Sequence, residues 1–524
     1  MPLRDISLPY LLFAPGFYAL RAALKNSFLS QYIVESYAVL VMPRILLALA
    51  GLVNYCLVRK LCQVFSVDKS LAEWYWMASY PTWTFLTRSF SNTTETLLFS
   101  LVCMLLLDLN QCCTSMKLWS AVPETTSGEQ CSAGKHCRKL TKYSLLLGIV
   151  LCMGIFNRPT FGLFVFAPLM WWLDQLGSAQ LRRTFAGLIV SLIGAGFLLA
   201  FAVMSVCNSL YYSPEFYHIL GDLCINVWQW NTDAVLQTGH SAMSALRIPP
   251  LNFIQYNLHA GNLAEHGLHP WYTHFLVNFP LLLGPLALLF YWDLAVLLRH
   301  CRQKHFTDVL YGIVVLPVLS LSFFPHQEAR FLLPVLPVAV VCAARNSLAK
   351  WKSFKTVTLL FNILAFGLFG WLHQGGMVPA LSALQNHMKN ISTIPANYGA
   401  HFHVVAYTTY MPPRHLLFAE SSKIQLHVHD MIGAHNHPPT FQLQMEELNS
   451  SCQKELLKCH FFILLPTTAV HDLRSISGWQ LTEEAEFCPH ISTERLPTST
   501  SLRTTEDLYE LLQQLCLKVI SVKM

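Results

Sequence analysis

Charged residues are scarce in this chain. Asp, Glu, Lys and Arg together make up 12% of its 524 residues, whereas soluble domains carry roughly 25%. Hydrophobic residues make up 53% and are gathered into long runs, and the mean hydropathy is +0.41. This composition excludes an ordinary soluble domain and indicates a membrane protein that crosses the bilayer several times.

Several patterns that would indicate other classes are also missing. The first residues, Met1–Pro9, lack the basic stretch, apolar core and small-residue cleavage site of a signal peptide. None of the 16 cysteines forms a C-x-x-C pair of metal-binding spacing. The formal net charge of +6 comes from loops without interleaved aromatic residues, so we expect no nucleic-acid partner. No internal repeat supports an inverted-repeat transporter.

Eleven apolar stretches run along the chain. They cover residues 10–24, 37–58, 72–88, 96–109, 143–157, 160–174, 184–207, 275–299, 308–324, 331–344 and 356–372. Several are shorter than the roughly 20 residues that a straight span needs, so we expect the short ones to tilt, break or re-enter. The pattern predicts a polytopic α-helical membrane protein with about eleven transmembrane or re-entrant helices.

Lysine and arginine gather in alternate loops. The basic loops lie near residues 59–69, 117–142, 182–183, 299–304 and 345–355, whereas the long loop 208–274 contains only Arg247. By the positive-inside rule the basic loops are cytosolic. The loop 208–274 and the segment 374–524 then lie on the opposite, lumenal side.

The chain divides by composition into a multi-span region, residues 1–373, and a polar C-terminal domain, residues 374–524. Within this domain Phe402–Tyr407 and Phe461–Leu465 have the pattern of short strands, and Leu502–Ile520 has helical spacing of leucines. We expect a small mixed α/β lumenal domain. Its four cysteines permit disulfides whose pairing the sequence leaves open; they are Cys452, Cys459, Cys488 and Cys516.

Three N-glycosylation sequons fall on the same predicted side as this domain. They begin at Asn92, Asn390 and Asn449. Their common side supports the predicted topology, and we expect all three asparagines to carry glycans.

A charged motif lies between two apolar runs. His326, Glu328 and Arg330 are separated from each other by single residues, at the mouth of the predicted membrane. Charges at that depth are costly and usually bind something polar. The alternative is an interfacial loop in which Arg330 reaches for lipid headgroups.

Two further arginines fall on the same predicted face. Arg88, Arg158 and Arg330 together would suit a phosphate or diphosphate, because a guanidinium binds such oxygens in a bidentate fork. The alternative is that each arginine pairs with a nearby acid, such as Glu95 or Glu328, and only ties spans together.

Histidines near residue 430 suggest a metal site less strongly. His427 and His429, and likewise His435 and His437, could each offer two ligands on either side of Asp430. This spacing matches no established site, so we expect no metal.

Several motifs resemble one known family. His326–Phe331 resembles the H-[KQ]-E-x-R-F motif of glycosyltransferase family 22, whose members use dolichyl-phosphate mannose in the ER lumen. Thr87–Glu95 resembles the family's R-[ST]-F-S-N-[TS]-x-E segment, and Asn157–Thr160 its N-R-P-T-F turn. The resemblance covers about residues 9–480. Further segments are most similar to the branch of the family that adds a fourth, side-branch mannose to the glycosylphosphatidylinositol (GPI) core; they are residues 250–257, 262–274, 327–330, 372–376 and 410–414.

The resemblance implies a GT-C fold and an inverting sugar transfer at the lumenal face of the ER membrane. The donor would be dolichyl-phosphate mannose, the acceptor a GPI precursor, and no cofactor would be needed. Arg330 and His326 would bind the donor phosphate, with Glu328 orienting Arg330, and Arg158 would bind the donor's or the acceptor's phosphate. Arg88 and Glu95 would line the same substrate site. Alternatives within the family are the third GPI mannose or a mannose of lipid-linked oligosaccharide.

One family feature is not matched. Family members carry an acidic H-P-D-E-type motif in their first lumenal loop, whereas Asp5 is the only acid in Met1–Pro9. We therefore expect an N-terminally short form whose catalytic base is unassigned. Rival hypotheses are a catalytically inactive truncated form and a lipid transporter. The transporter is disfavoured because charges within predicted spans are few, Arg44 and Asp108 being the clearest.

The alternation of basic loops makes a testable prediction of sidedness. Epitope tags at residue 328 and at the carboxyl terminus are expected to be protected from protease in intact microsomes, and a tag in the loop 59–69 to be cleaved. The reverse pattern would place residue 328 in the cytosol and would contradict a sugar transfer on the lumenal side.

Overall fold

The computed structural model describes residues 4–25, 35–120, 127–178, 183–259, 268–299, 308–392, 399–417, 424–431, 438–455, 457–476, 478–497 and 505–524. The chain forms two compact units. The first comprises Met1–Tyr18 and Pro43–Ile363, and the second comprises Ala19–Met42 and Leu364–Met524. The predicted domain division after residue 373 stays a prediction. The compact units divide ten residues before it, and Ala19–Met42 groups with the second unit.

The first part of the chain is helical. Its α-helices are Ser7–Lys25, Glu35–Ala50, Leu52–Val64, Lys69–Ala78, Tyr80–Thr84, Ser91–Ser120, Ser127–Asn157, Phe161–Ser178, Arg183–Tyr212, Glu215–Trp228, Thr232–Ala245, Pro249–Leu258, Phe279–Leu283, Leu286–Arg299, Asp308–Ser322, Leu336–Ala344 and Lys352–Phe366. Short 3₁₀ segments lie at Ala329–Val335 and Ser347–Lys350, and π-helical segments at His274–Asn278 and Gly367–Leu372.

Five of the described helices are long and apolar enough to cross a membrane. They are Tyr37–Val64, Ser91–Ser115, Cys137–Asn157, Ala186–Tyr212 and Lys352–Leu372. Shorter apolar helices lie at His274–Leu283, Val309–Ser322 and Ala329–Ala344. The predicted class, a helical membrane protein, is confirmed, whereas the number of about eleven spans is not.

Some predicted stretches are interrupted in the structure. The stretch 72–88 breaks at Ser79, whose extended backbone separates Lys69–Ala78 from Tyr80–Thr84, with Pro81 in the first turn of the second helix. The stretch 275–299 breaks where Phe279–Leu283 ends at Gly284. Prolines and glycines in these stretches shorten the helices because they interrupt regular backbone hydrogen bonding.

Two long helices of the first unit approach each other backbone to backbone. A Cβ atom on Gly148 would lie 2.0 Å from the Ile193 carbonyl oxygen. One on Gly196 would lie 2.2 Å from the Leu145 carbonyl oxygen. Small residues at this crossing therefore permit the close contact, as they commonly do between helices in membranes.

The centre of the first unit is the run 332–344, in which every residue is buried. This run joins the 3₁₀ segment Ala329–Val335 to the helix Leu336–Ala344. The charged motif that precedes it is consequently anchored to the most tightly enclosed part of the core.

The second unit contains a five-stranded sheet. Its strands are β1 (Ala400–Tyr407), β2 (Ile424–Met431), β3 (Cys459–Pro466), β4 (Gln480–Phe487) and β5 (Leu517–Lys523), in the order β2-β1-β3-β5-β4. β1 pairs in parallel with β2 and β3, and β5 pairs antiparallel with β3 and β4. The remaining α-helices are Met377–Ser392, Pro438–Lys454, Val470–Arg474 and Thr505–Gln514.

The sheet confirms two predicted strands and corrects one predicted helix. Phe402–Tyr407 lies within β1, and Phe461–Leu465 lies within β3. The helix predicted over Leu502–Ile520 is wrong at its carboxyl end, where β5 begins at Leu517. Val519, Ile520 and Val522 are buried in the sheet, and β-branched side chains fit that pleated surface better than a helix.

The four cysteines of the second unit form two disulfides. Cys452 pairs with Cys459, and Cys488 pairs with Cys516. This arrangement resolves the pairing that the sequence left open, and such bonds persist in oxidising compartments.

A buried histidine makes the stability of the second unit depend on pH. His490 is 1% exposed, and neither ring nitrogen has a hydrogen-bond partner within the described residues. Burial, followed by repulsion from His373, lowers the pKa of His490 to about 4. The unfolded chain, with a histidine pKa of about 6.5, therefore binds more protons than the folded chain between these two values.

The contribution of neutral, buried His490 to the free energy of unfolding is therefore fully present above about pH 6.5. It is lost as the pH falls toward 4. We expect amides of β5 to lose hydrogen-exchange protection in detergent-solubilised protein between pH 7 and 5, after correction for intrinsic rates. The variant His490→Leu should flatten this dependence. An unchanged pH dependence in the variant would assign it to other groups.

Candidate active site

A cavity of about 480 Å³ in the first unit brings together segments that are distant in sequence. Its polar and charged lining comes from Arg4 and from five of the segments singled out above, 87–95, 157–160, 250–257, 262–274 and 326–331; the residues are Arg4, Ser89, Ser91, Asn92, Arg158, Thr160, Tyr256, Asn257, His274, His326, Glu328 and Arg330. Phe90, Phe253, Leu321, Phe324 and Phe331 supply the apolar part. Several hydrogen-bond donors beside an apolar wall suit a polar, anionic ligand with an apolar portion.

Glu328 links the two basic residues of the motif. His326 Nε2 lies 2.9 Å from Glu328 Oε1, and Arg330 Nη2 donates to the same oxygen at 2.8 Å. A second contact joins Arg330 Nε to the other carboxylate oxygen. Partial burial would raise the pKa of Glu328, but hydrogen bonds from His326 and Arg330 lower it to about 2. Glu328 is therefore ionised at neutral pH and fixes both partners in place.

Gln327 holds the backbone of this motif. Its side chain is 3% exposed, and its Oε1 accepts a hydrogen bond from the His274 backbone N–H at 2.9 Å. Its Nε2 donates to the carbonyl oxygens of Ser322 and Phe324, each at 3.1 Å. A buried amide satisfies these three backbone groups because it offers an acceptor and two donors.

Arg158 enters the cavity from the turn between two helices. Its Nε lies 3.8 Å from Glu95 Oε2, and its guanidinium carbon lies 4.8 Å from the centre of the Phe331 ring. Glu95 is 1% exposed and accepts hydrogen bonds from Thr160 Oγ1 at 3.1 Å and from Asn92 Nδ2 at 3.4 Å. Glu95 does not line the cavity; it lies behind Arg158 and balances its charge.

Arg4 contributes a third guanidinium. Its Nη1 donates to Ser91 Oγ at 3.1 Å, and its backbone carbonyl accepts from the Tyr212 hydroxyl at 2.8 Å. Partial burial, followed by repulsion from Arg158 and Arg330, lowers the pKa of Arg4. Among the described residues no carboxylate lies within ion-pair distance of Arg4. The cavity therefore carries three neighbouring positive groups and only one carboxylate in its lining.

The structure brings two of the three predicted arginines, Arg158 and Arg330, to the cavity. Arg88 is not among the residues that line the cavity, and its guanidinium carbon lies 5.8 Å from the centre of the Phe85 ring. Arg4 occupies the place that the sequence suggested for Arg88. The chain turns between the helix Tyr80–Thr84 and Ser91, so that Ser89 and Phe90 line the cavity while Arg88 packs on Phe85.

His274 also lines the cavity, and it was not assigned a role from sequence. It is fully buried, and its Nδ1 lies 3.1 Å from Asn278 Nδ2. An amide nitrogen can only donate, so Nδ1 is the acceptor and the proton of the neutral ring lies on Nε2. That Nε2 is buried and has no hydrogen-bond partner among the described residues.

The structure also bears on the predicted glycans. Asn92 is 2% exposed, and Thr93 of the same sequon is fully buried and donates to the Phe85 and Arg88 carbonyl oxygens. This packing leaves little space for a glycan at Asn92 in the folded chain, and modification there stays a prediction. Asn390 is exposed and Asn449 is half-buried on helices of the second unit, and modification at these two positions stays a prediction.

Asp5, the one acid near the amino terminus, has a structural role. Its carboxylate accepts from the backbone N–H groups of Ser7 and Leu8 at 3.2 and 2.9 Å, and from Asn208 Nδ2 at 2.6 Å. It caps the first helix and does not line the cavity. The catalytic base stays unassigned.

The burial of the Glu95–Arg158 pair leads to a stability prediction. Glu95→Ala would leave Arg158, which is 11% exposed, without its counter-charge, and such losses cost about 3–5 kcal/mol. The matched control is Glu73→Ala, since Glu73 pairs with the more exposed Arg59 and should cost about 0–1 kcal/mol. Denaturant unfolding in detergent would compare the two variants. Equal losses would show that Arg158 does not depend on Glu95.

Comparison with known proteins agrees with these features. The profile of the Alg9-like mannosyltransferase family matches residues 2–418. The chain is 31% identical over 494 residues to a Homo sapiens protein named GPI alpha-1,2-mannosyltransferase 4, covering 90% of this chain and 76% of that one. It is 32% identical over 352 residues to GPI mannosyltransferase 4 of Yarrowia lipolytica, covering 66% of this chain and 54% of the relative.

A third relative is GPI mannosyltransferase 4 of Saccharomyces cerevisiae, 30% identical over 313 residues, covering 58% of this chain and 48% of that protein. The chain thus spans about half to three quarters of the length of these relatives. No solved structure matches it. Since the family profile covers most of the sequence and the cavity collects the family's motifs, this chain belongs to the Alg9-like mannosyltransferase family.

Proposed function

We propose that this chain transfers mannose from dolichyl-phosphate mannose to a GPI precursor, adding the fourth, side-branch mannose. The reaction class rests on family membership. The acceptor and the position of the mannose rest on the relatives, which are named GPI mannosyltransferase 4 in human and in yeasts. The donor is the one that the family resemblance implies, and the cations of the cavity suit its phosphate.

The grouping of Arg4, Arg158 and Arg330 around one cavity carries the proposal. A dolichyl phosphate leaving group develops negative charge as the glycosidic bond breaks, and fixed cations stabilise that charge. Arg330 is oriented for this task because Glu328 fixes its guanidinium and His326 shares the same carboxylate. Arg158 and Arg4 then lie where they can bind a second phosphate oxygen of the donor or a phosphate of the acceptor.

The transfer proceeds with inversion at the anomeric carbon. A base removes the proton of an acceptor mannose hydroxyl, the oxygen attacks the anomeric carbon, and the bond to dolichyl phosphate breaks. The β-linked donor thereby gives an α-linked product. His274 Nε2–H is suited to donate a hydrogen bond to a sugar oxygen, because it is buried and without a protein partner in the described part of the chain.

Glu328 is a poor candidate for the base. Its pKa of about 2 makes its carboxylate weakly basic, and both partners compete for its lone pairs. Glu95 lies behind Arg158 and Asp5 caps a helix. We therefore assign these three acids to orientation and folding.

The proposed location is the ER membrane, with the cavity and the second unit on the lumenal side. The disulfides Cys452–Cys459 and Cys488–Cys516 support an oxidising compartment for the second unit. The expected partners are the donor lipid, the GPI precursor and the surrounding ER lipids.

Complementation tests this assignment. In cells that lack their own GPI mannosyltransferase 4, the wild-type chain should restore GPI glycans with a fourth mannose, measured by mass spectrometry. Arg330→Ala should lower the product about 10²–10³-fold, as expected for loss of one group that stabilises the leaving phosphate.

The control for this experiment is Arg138→Ala, because Arg138 is exposed on the helix Ser127–Asn157 and does not line the cavity. It should leave the product unchanged at equal expression. Full activity of Arg330→Ala would contradict the donor-phosphate role, and a product with a third mannose in cells lacking that step would assign the chain to the other GPI reaction.

A further inference from the structure

Four histidines of the second unit meet on one face of the sheet. His401 and His403 alternate along β1, and His427 and His429 alternate along β2. Because β1 and β2 pair in parallel with His403 opposite His427, all four side chains project to the same side. The same face carries Val405, Tyr407 and Met431 further along these strands, and those three residues belong to an apolar cluster.

The imidazole rings lie close enough to share a ligand. His401 Nδ1 is 3.1 Å from His427 Nε2, and His403 Nδ1 is 3.0 Å from His429 Nε2. The rings of His403 and His427 are stacked with centres 4.8 Å apart. One nitrogen from each of His401, His403 and His427 lies within 4.8 Å of the other two.

We propose that His401, His403 and His427 bind a divalent transition-metal ion of the zinc type. Zinc takes imidazole nitrogens at about 2.0–2.1 Å in tetrahedral geometry, which requires ligand nitrogens somewhat more than 3 Å apart. The His401–His427 pair already has this spacing, and small rotations of His403 complete the set. His429 then supports the site from outside, because its Nε2 contacts the Nδ1 of His403.

The surroundings favour the metal-binding form of these rings. Four imidazoles lie side by side on this face, and neutral rings avoid the repulsion that neighbouring charged rings would cause. Neutral imidazole is the form that binds metals. His427 lies in β2, which is one of the two edge strands of the sheet, so a shared ion would fasten that edge to β1.

The neighbouring sulfur atoms do not take part in this site. Cys452 Sγ lies 3.5 Å from His403 Nε2, but Cys452 is joined to Cys459 in a disulfide. A disulfide sulfur is not a thiolate and is a poor zinc ligand. The site is accordingly built from histidine alone, and it does not depend on the sugar-transfer activity.

From the sequence we expected no metal, because only the spacing of histidines within one segment of the chain can be read there. His435 and His437 lie outside the described residues, and the spacing of His427 and His429 alone matches no known site. The partners that complete the group lie 26 residues upstream on another strand. Only the pairing of β1 with β2 brings them together.

Zinc binding to the full chain tests the proposal. The protein is purified in detergent without a histidine tag, stripped with EDTA, and treated with N-ethylmaleimide to block exposed thiols such as Cys56, Cys137, Cys207 and Cys224. Equilibrium dialysis against Zn²⁺ should give one tightly bound ion per chain. His427→Gln should weaken that binding at least tenfold.

The matched control is His471→Gln, because His471 is exposed on the helix Val470–Arg474 of the same unit. It should leave zinc affinity unchanged. Absence of tight zinc binding by the wild-type chain, or equal affinity in His427→Gln, would overturn the proposal.

A spectroscopic measurement keeps the test independent of whether variants fold. Zinc K-edge absorption of the wild-type protein should show nitrogen or oxygen neighbours with the outer-shell pattern of about three imidazoles. Sulfur among the nearest neighbours would place the ion elsewhere and overturn the assignment.

Discussion

The cavity of this protein depends on buried or half-buried carboxylates that hold arginine side chains in place beside an apolar core. Glu95 stands behind Arg158, and Glu328 lies between His326 and Arg330. Moving an isolated guanidinium into such surroundings would be prohibitively costly, so each one needs a counter-charge or hydrogen bonds. Arg4 differs because, in the described part of the chain, no carboxylate lies within ion-pair distance of it. That imbalance is what makes the cavity suitable for an anion.

The packing of the first unit makes these charges stationary. The run 332–344 is buried throughout, and it follows directly on the motif that ends at Phe331. Gln327 fastens the same motif to the backbone at His274, Ser322 and Phe324. A site that stabilises developing charge gains from such rigidity, because its dipoles and charges need no rearrangement during the reaction.

The chemistry of the second unit is different. Its sheet is stabilised by two disulfides and carries imidazoles where the first unit carries guanidiniums. The buried polar side chains of this unit include the neutral imidazoles of His403 and His490. The second unit therefore responds to acid and to metals, whereas the site of the first unit relies on charges that persist across the neutral range.

The sequence by itself determined the membrane class, the charged motif and two strands of the sheet. These are local properties, because hydrophobic run length, residue type and alternation are read over a few consecutive residues. Family resemblance added the reaction class and the importance of Arg158 and Arg330. It also suggested Arg88, which the structure directs onto Phe85.

Only the tertiary structure decided which distant groups meet. Arg4 joins Arg158 and Arg330, His274 presents an unpartnered nitrogen, Asn92 is enclosed, and His401 approaches His427. None of these follows from spacing along the chain, because helix packing and strand pairing bring together residues that are tens to hundreds of positions apart. The sequence thus determined which chemical groups were available to the protein, and the fold determined which of them share a site.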